Sequence, residues 1–492
     1  MPLFSRIALA AAFIAAFGTA LPSAAAQNKR IASALARLDK RMTRFFQKGG
    51  FVGLSIGVVT ADGTLIERHY GAVKKGGPKP RATTLFRIGS LTKLFTATLA
   101  LRLRDEGVWS LAHHARRYAG GIDLDRRIRL LHLLTHTSGL PHLPPGLRPR
   151  AGDIYNGYTT AMLRRDLPQL ALDSVPGLHY RYSNLGFGVL GFLASRAAKR
   201  PFAALLRDKV LLPLGLKDTV FELSPEQRLR TAPSYQTRKA KSPTIDWKMG
   251  VLASAGGLYS TLADLARFVA GQWTSTPHAP LSRESVREMQ LAHFRFDQVA
   301  PELTLRGGIG LAWHLLPLKI GERWLPIVWH NGVFTSYRSF IGLSAERRIG
   351  VIILSNTAAD VNKLGLGLLR ALAPLGTPRR TVSAGRELRR LATALRHEFR
   401  TTPTSALESL FHPTFTSRVR KKALVKLVST YASKLGAITR AQLQVDATPR
   451  YGELILHGST GAKLHLRIGV DARRRGAQIV LLQPLRFEEA RR

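Results

Sequence analysis

The stretch Ser90-Leu91-Thr92-Lys93 places a serine three residues ahead of a lysine, a spacing that occurs nowhere else in this 492-residue chain. On a helix that begins here, positions three apart lie on one face, so the hydroxyl and the amine would be neighbours. A serine hydroxyl is a weak nucleophile until a base takes its proton, and a lysine removed from water can act as that base. Because chance supplies this pattern about once in a chain of this length, its meaning depends on other motifs.

Two further polar motifs follow in order along the chain. Tyr182-Ser183-Asn184 is the only Tyr-x-Asn in the sequence, and Trp329-His330-Asn331-Gly332 ends an apolar run with two polar residues and a glycine. Taken singly, Ser90 could be a helix cap, Tyr182 an interface aromatic and Asn184 a turn residue. The ordered set is far more specific than any one member.

The order Ser-x-x-Lys, Tyr-x-Asn and then a basic-x-Gly triplet resembles the serine β-lactamase and DD-peptidase superfamily. Within it, the chain is similar to class C β-lactamases, D-alanyl-D-alanine carboxypeptidases and related esterases. The resemblance covers about residues 30 to 375 and is carried also by the stretches 134–140, 176–180 and 255–261. It implies an α+β fold of the β-lactamase/transpeptidase type, in which an antiparallel sheet flanked by helices and an all-helical region enclose the site.

The resemblance also implies roles for the motif residues. Ser90 would be the acylated nucleophile, and Lys93 would help to take its proton. The Tyr182 phenol would pass a proton to the leaving group and later activate water, and whether Lys93 or Tyr182 is the general base stays open. Asn184 would hydrogen-bond Lys93 and the acyl-side amide of the substrate. The N–H groups of Ser90 and Val333 would form the oxyanion hole.

The triplet His330-Asn331-Gly332 is the main departure from the class C pattern, and we assign it to substrate binding. Class C β-lactamases carry Lys-Thr-Gly here, a fixed cation suited to a β-lactam carboxylate. A histidine is only partly charged at neutral pH, and several peptidase and esterase relatives use it. Gly332 allows close approach of the backbone to substrate. The sequence therefore predicts a peptidase or esterase type of enzyme above an efficient β-lactamase.

Composition excludes several other classes of protein. The chain has no cysteine, so disulfides, thiolate catalysis and cysteine-ligated zinc are ruled out. It has no His-Glu-x-x-His motif and no glycine-rich phosphate loop, and we predict neither a metal nor another cofactor. The net charge of +43 is dispersed along the chain, which favours a solvated basic surface over a specific partner. An anionic cell-envelope polymer is the alternative partner. Nucleic acid is not expected, because the first 26 residues predict export.

The first 26 residues predict that export signal. Arg6 precedes the apolar run 7–21, and Ala24-Ala25-Ala26 offers a cleavage site. The run is shorter than the roughly 20 residues that a membrane-spanning helix needs, although an uncleaved anchor is an alternative. We expect a periplasmic or secreted protein with no transmembrane span in the mature chain.

Hydrophobic periodicity predicts the elements around the motifs. Apolar residues at helical spacing run from 31 to 46, and Asp62-Gly63 predicts a hairpin turn between two strands, 54–59 and 65–70. Further helices are predicted at 90–103, 185–198 and 261–271. Adjacent antiparallel strands are predicted at 327–329, 339–343 and 350–354, with the His330 triplet at the end of the first. Strands at both ends of a helical middle indicate the α+β class.

A change in composition near residue 376 predicts a second domain. We divide the chain into a signal peptide (1–26), a hydrolase domain (27–376) and a small C-terminal α+β accessory domain (386–492). The last would have helices at 388–399, 405–411 and 419–435, then strands at 443–445, 453–457, 463–470 and 478–483. It weakly resembles the cone-shaped domains of the nuclear-transport-factor kind.

Together these features predict an exported, cofactor-free serine hydrolase that acts through a Ser90 acyl-enzyme. Its substrates would be small amides, D-residue peptides or esters. The alternative is a penicillin-binding or sensor-type envelope protein that acylates without turnover.

Overall fold

A computed structural model describes residues 23–145, 147, 155, 157–274, 277–296, 307–320, 323–378, 386–399, 410, 421–445, 451–471 and 478–488. The export signal as far as residue 22 and all but one residue of the helix expected at 405–411 lie outside this range. Ala24-Ala25-Ala26, the expected cleavage site, forms the first turn of a helix that Ser23 caps. Cleavage there stays a prediction.

An eight-stranded antiparallel sheet is the centre of the part of the chain before residue 376. Its strands are Gly53–Val59 (β1), Leu65–Gly71 (β2), Phe294–Arg295 (β5), Gly308–Ile309 (β6), His314–Ile320 (β7), Arg323–Phe334 (β8), Tyr337–Ser344 (β9) and Ile349–Ser355 (β10), while Leu85–Arg87 (β3) pairs separately with Tyr259–Thr261 (β4). The order is β2-β1-β10-β9-β8-β7-β6-β5. Every residue of β1 and β10 is buried, because these central strands are covered on both faces.

The turn between β1 and β2 shows how local sequence fixes the sheet edge. Gly63 has a φ of 89°, which glycine adopts without steric penalty. The Asp62 carboxylate accepts hydrogen bonds from the Thr60 hydroxyl at 2.5 Å and the Thr64 N–H at 3.1 Å. The hairpin predicted from Asp62-Gly63 is confirmed.

Helices cover both faces of the sheet. The first helix and a helix after β10 pack on one face, with Leu35, Phe340 and Leu369 in the shared core. On the other face lie a helix beginning at Leu262 and the all-helical region. The helix bounds before residue 376 are Ala24–Lys48 (α1), Thr92–Asp105 (α2), Leu130–Leu134 (α3), Thr160–Asp166 (α4), Asn184–Ala197 (α5), Phe202–Leu206 (α6), Pro225–Leu229 (α7), Ala253–Gly256 (α8), Leu262–Ala270 (α9), Arg283–Met289 (α10) and Asn362–Leu372 (α11).

Helix α2, which follows Ser90, is buried over most of its length, including the polar residues Thr92, Lys93, Thr96 and Thr98. The helix therefore lies in the interior of the helical region. It packs against α5 and α8, the elements that carry the other polar groups of the site. The motif residues are thus fixed to the most deeply buried part of the helical region.

The C-terminal region has a sheet and a hydrophobic core of its own. Its strands form a meander in chain order, and Leu391, Leu395 and Phe399 lie in its core with residues of the sheet. The elements are Arg386–Glu398 (α12), Lys421–Leu435 (α13), Ile438–Val445 (β11), Tyr451–Gly458 (β12), Lys463–Asp471 (β13) and Gln478–Glu488 (β14). The α+β class expected from the sequence is confirmed, and the domain boundary near 376–386 stays a prediction.

Two details differ from the sequence expectation. The His330 triplet is not at the end of its strand, because β8 continues to Phe334, where a tight hairpin pairs it with Tyr337. Asn184 is not in the loop before the helix but is the first residue of α5, because the Ser183 hydroxyl accepts the Gly186 N–H at 2.8 Å and so caps the helix one residue earlier.

Candidate active site

Ser90 lies in a single 3₁₀ turn, Gly89–Leu91, between β3 and α2. Gly89 has a φ of 52°, and a Cβ there would come within 2.6 Å of the Val333 carbonyl oxygen. Only glycine permits this approach of the turn to β8. The Ser339 hydroxyl donates to the Ile88 carbonyl at 2.7 Å and ties the turn to β9. Half-buried Ser90 is thereby held beside the backbone of Val333, the two residues expected to form the oxyanion hole.

Lys93 is completely buried, one turn of helix after Ser90. Its Nζ lies 3.1 Å from Ser90 Oγ, 2.8 Å from Asn184 Oδ1 and 2.7 Å from the Ala255 carbonyl oxygen. None of these three partners is a carboxylate. Burial lowers the pKa of Lys93 well below its ordinary value, since water no longer stabilises the ammonium. A neutral amine fits the contacts, with two N–H groups for the two carbonyl oxygens and a lone pair for the Ser90 hydroxyl.

The Tyr182 ring lies against this amine. Lys93 Nζ is 4.8 Å from its ring centroid, and the phenol is in hydrogen-bonding contact with the Ser90 side chain. Burial raises the pKa of the Tyr182 phenol above its ordinary value, so the group keeps its proton at neutral pH. A protonated phenol beside the serine can donate a proton but is a poor resting base.

Asn184 links Lys93 to the rim of the cleft. Besides accepting from Lys93, its amide nitrogen lies 3.3 Å from the Tyr155 hydroxyl and 3.5 Å from His142 Nε2. Its backbone N–H donates to the His142 carbonyl at 2.9 Å. These contacts fix the amide so that its oxygen faces the lysine. The spacing from 182 to 184 therefore brings both expected side chains to Lys93.

On the opposite side of the cleft, His330 is fully buried. Its Nδ1 donates to the Asn331 carbonyl at 2.6 Å, and its Nε2 has no hydrogen-bond partner among the described residues. Burial, and after it His314 and Lys93, lower the pKa of His330 well below its ordinary value. The sequence analysis expected a partly charged imidazole, whereas this environment keeps it neutral. Because no water reaches it, His330 is not placed for direct contact with a substrate.

The rest of the triplet approaches the serine turn. A Cβ on Gly332 would overlap the Ile88 carbonyl oxygen, so glycine is required for β8 to lie this close. Asn331 is half-buried, and the Val333 side chain is 50% exposed at the edge of the cleft. Of the triplet, Asn331 is thus partly exposed, whereas His330 and Gly332 are buried.

His136 holds the Tyr182 loop in place, and only the structure reveals how. Its Nδ1 accepts the Ser183 N–H at 3.1 Å, and its carbonyl accepts the Arg181 N–H at 2.7 Å. The two bonds bracket Tyr182, whose ring stacks on the imidazole with centroids 4.3 Å apart. His136 therefore supports the Tyr182 loop and contacts a residue of the site directly. His314 and Tyr155 were missed because no sequence motif surrounds them.

The described residues were also compared with the requirements of a metal site and of a membrane-spanning helix. Among them, no group of three His, Cys, Asp or Glu side chains is arranged to bind a metal ion. Within the same ranges, no helix combines the length and the apolar character needed to cross a bilayer.

Known proteins with similar sequences share this architecture. The sequence model of the beta-lactamase family matches residues 38–373. A D-alanyl-D-alanine-carboxypeptidase/endopeptidase (AmpH) of Escherichia coli is 27% identical over 333 residues, covering 64% of this chain and 82% of that protein. A beta-lactamase of Lysobacter lactamgenus is 25% identical, covering 71% of this chain and 94% of its own length.

Solved structures give the same result. The beta-lactamase/D-alanine carboxypeptidase of Yersinia pestis, complexed with citrate, superimposes with a TM-score of 0.59 at 27% identity, covering 70% of this chain and 98% of that one. A class C beta-lactamase in complex with cefoxitin has a TM-score of 0.61 at 20% identity and so supports the fold alone. The match to the family model spans well over half of the chain. The chain therefore belongs to the beta-lactamase family, among its serine β-lactamase and D-alanyl-D-alanine-carboxypeptidase-like hydrolases.

Proposed function

We propose that the protein is an exported serine hydrolase that works through a Ser90 acyl-enzyme on small amides, D-residue peptides or short esters. The observation that carries the proposal is the Lys93 amine, fully buried without a carboxylate in contact and 3.1 Å from Ser90 Oγ. A base of this kind can take the serine proton at neutral pH because its own pKa is lowered.

In the acylation step, Ser90 Oγ attacks the substrate carbonyl carbon and its proton passes to Lys93 Nζ. The N–H groups of Ser90 and Val333 hold the oxyanion, each such donor contributing about 2.7–4 kcal/mol toward the transition state. When the bond to the leaving group breaks, the Tyr182 phenol supplies its proton to that group and regains one from Lys93. The net transfer is of one proton from serine to leaving group.

In deacylation, water is the nucleophile and Ser90 Oγ is the leaving group. Water attacks the acyl carbon and gives its proton to the neutral Lys93, and the Ser90 Oγ leaves as it takes that proton back. Lys93 is the base in both steps, since the raised pKa of Tyr182 makes a phenolate costly.

The substrate class is proposed from His330. In the position where class C enzymes carry a lysine, a buried imidazole with a lowered pKa offers no fixed cation to a β-lactam carboxylate. Peptidase or esterase activity is therefore favoured over efficient β-lactam hydrolysis.

The test is intact-mass analysis after incubation with a fluorescent penicillin and with a p-nitrophenyl ester. The parent protein should release p-nitrophenol and show an acyl adduct, and Ser90→Ala should show neither. Ser433→Ala, at an exposed serine of the C-terminal region, is the matched control and should behave as the parent. An adduct that survives in Ser90→Ala would remove Ser90 as the nucleophile. A stable adduct without turnover on any substrate would instead support the sensor-type alternative.

A further inference from the structure

His314, at the start of β7, is a site residue to which no motif led. Its ring centroid lies 5.0 Å from that of His330, 6.5 Å from that of Tyr182 and 6.3 Å from that of Tyr180. The side chain is half-buried, and neither ring nitrogen has a hydrogen-bond partner in the part of the chain that the structure describes. Unlike His330, the His314 side chain can therefore contact a bound molecule.

His314 lies beside Tyr182, the residue that protonates the leaving group in the proposed mechanism. In the proposed mechanism Tyr182 protonates the leaving group, whereas Asn184 binds the acyl-side amide. The His314 ring is nearly parallel to that of Tyr182, with 13° between the planes, and it contacts β8 through Trp329. A leaving group that receives its proton from Tyr182 would thus extend toward His314.

The described residues whose rings lie against His314 are aromatic and uncharged. The Tyr180 ring, which faces His314, also packs against Phe296 with centroids 4.8 Å apart. Burial, and after it Lys93, lower the pKa of His314 to about 4, so the imidazole is neutral at pH 7. A neutral imidazole has one donor and one acceptor nitrogen and gives no charge to pair with an anion.

Lys93 does not supply the missing cation. Its amine is neutral in the proposed mechanism and is enclosed by Ser90, Asn184 and Ala255. A carboxylate moved from water to this aromatic wall would lose hydration without gaining an ion pair. A primary amide or an ester would lose less and could hydrogen-bond the imidazole.

We infer that His314, with the rings of Tyr180 and Phe296, forms a leaving-group subsite for uncharged groups that can hydrogen-bond, such as a primary amide, and that it discriminates against a carboxylate. This inference rests on the proposed function and names the substrate class of the same site. His314 would then determine substrate specificity by direct contact, which the fully buried His330 cannot do.

The test uses three aryl acetates that differ only at the para position of the leaving phenol: 4-acetoxybenzamide, 4-acetoxybenzoate and phenyl acetate. Each enzymatic kcat/KM is divided by the rate of spontaneous hydrolysis, so that leaving-group reactivity cancels. The parent should favour the amide over the carboxylate by about tenfold, the size of one hydrogen bond plus a desolvation penalty.

Three variants separate the explanations. His314→Lys should bring the amide-to-carboxylate ratio to one or below, and His314→Gln, neutral and hydrogen-bonding, should keep it. His314→Leu should raise KM for the amide about fivefold more than it raises KM for phenyl acetate. Circular dichroism and the thermal midpoint establish that each variant is folded.

A parent ratio near one would overturn the inference, as would an unchanged ratio in His314→Lys. An equal loss on all three substrates in His314→Leu would place the residue in the proton transfers and overturn its role in specificity. Failure of the proposed function has a different signature, namely hydrolysis of all three esters that persists in Ser90→Ala.

Discussion

Lys93 and His330 are both basic side chains without solvent exposure, one on the helical side of the cleft and the other on β8. Burial lowers the pKa of each, but their contacts differ. Every donor of a neutral Lys93 has an oxygen to bind, whereas one nitrogen of His330 has no partner within the described ranges. In the proposed function, burial leaves Lys93 a reactive base on the helical side. On the strand side, the same physical effect leaves His330 without a charge to pair with a substrate carboxylate.

The largest effect should follow removal of the amine on the helical side. In Lys93→Met, a side chain of similar length fills the space without a base, and we expect kcat/KM on a p-nitrophenyl ester to fall by about 10³-fold. The exposed Lys363→Met is the control and should retain parent activity. If Lys93→Met loses less than tenfold, the base is another group and the contrast between the two regions fails.

The next largest effect concerns the contact between the two regions. Gly332→Ala puts a Cβ into the Ile88 carbonyl and should push β8 away from the Ser90 turn, lowering kcat by about 10²-fold through a displaced oxyanion donor. Gly367→Ala in α11, where no atom lies within 4 Å of an added Cβ, is the matched control and should leave activity unchanged while stabilising the helix by about 0.5–1 kcal/mol. Parent activity in Gly332→Ala would show that β8 can move away from the Ser90 turn without affecting the site.

A smaller effect should follow loosening of the Tyr182 loop. His136→Ala removes the acceptor for the Ser183 N–H and puts alanine at a φ of 55°, so kcat should fall by about tenfold to a hundredfold with KM nearly constant. His136→Asn should recover most of the loss, because asparagine tolerates this conformation and its amide oxygen can accept the same N–H. Equal losses in both variants, matched by equal losses of thermal stability, would mean that His136 is only a core residue.

The sequence predicted the site where short motifs carry the resemblance to the family. Ser90 and Lys93 are three residues apart at a helix start, and Tyr182 and Asn184 are two apart at another. The resemblance carried by these motifs in this order predicted that the four residues meet. The structure brings all four together. The main strands and helices were likewise predictable from their periodicity.

What the sequence could not provide depends on tertiary packing. The neutral state of His330 arises from its burial, which no triplet of residues reveals. His136 and His314 reach Tyr182 from distant parts of the chain, 46 and 132 positions away in the numbering, and lie in no catalytic pattern. The continuation of β8 to Phe334 follows from pairing with β9 and not from its own sequence.

The pH dependence of the acylation rate tests most directly whether Lys93 is the base, with a pKa that burial holds well below the ordinary value for lysine. The pre-steady-state burst of p-nitrophenol should be measured from pH 5 to 11 for the parent, with Lys93→Met as the reference. Since burial lowers the pKa of Lys93, the rate should rise with pH as the amine loses its proton and should level off well before pH ~10.4, the ordinary value for lysine. A rate that still climbs through pH ~10.4 would contradict the account, because the base would then be an ordinary, charged lysine.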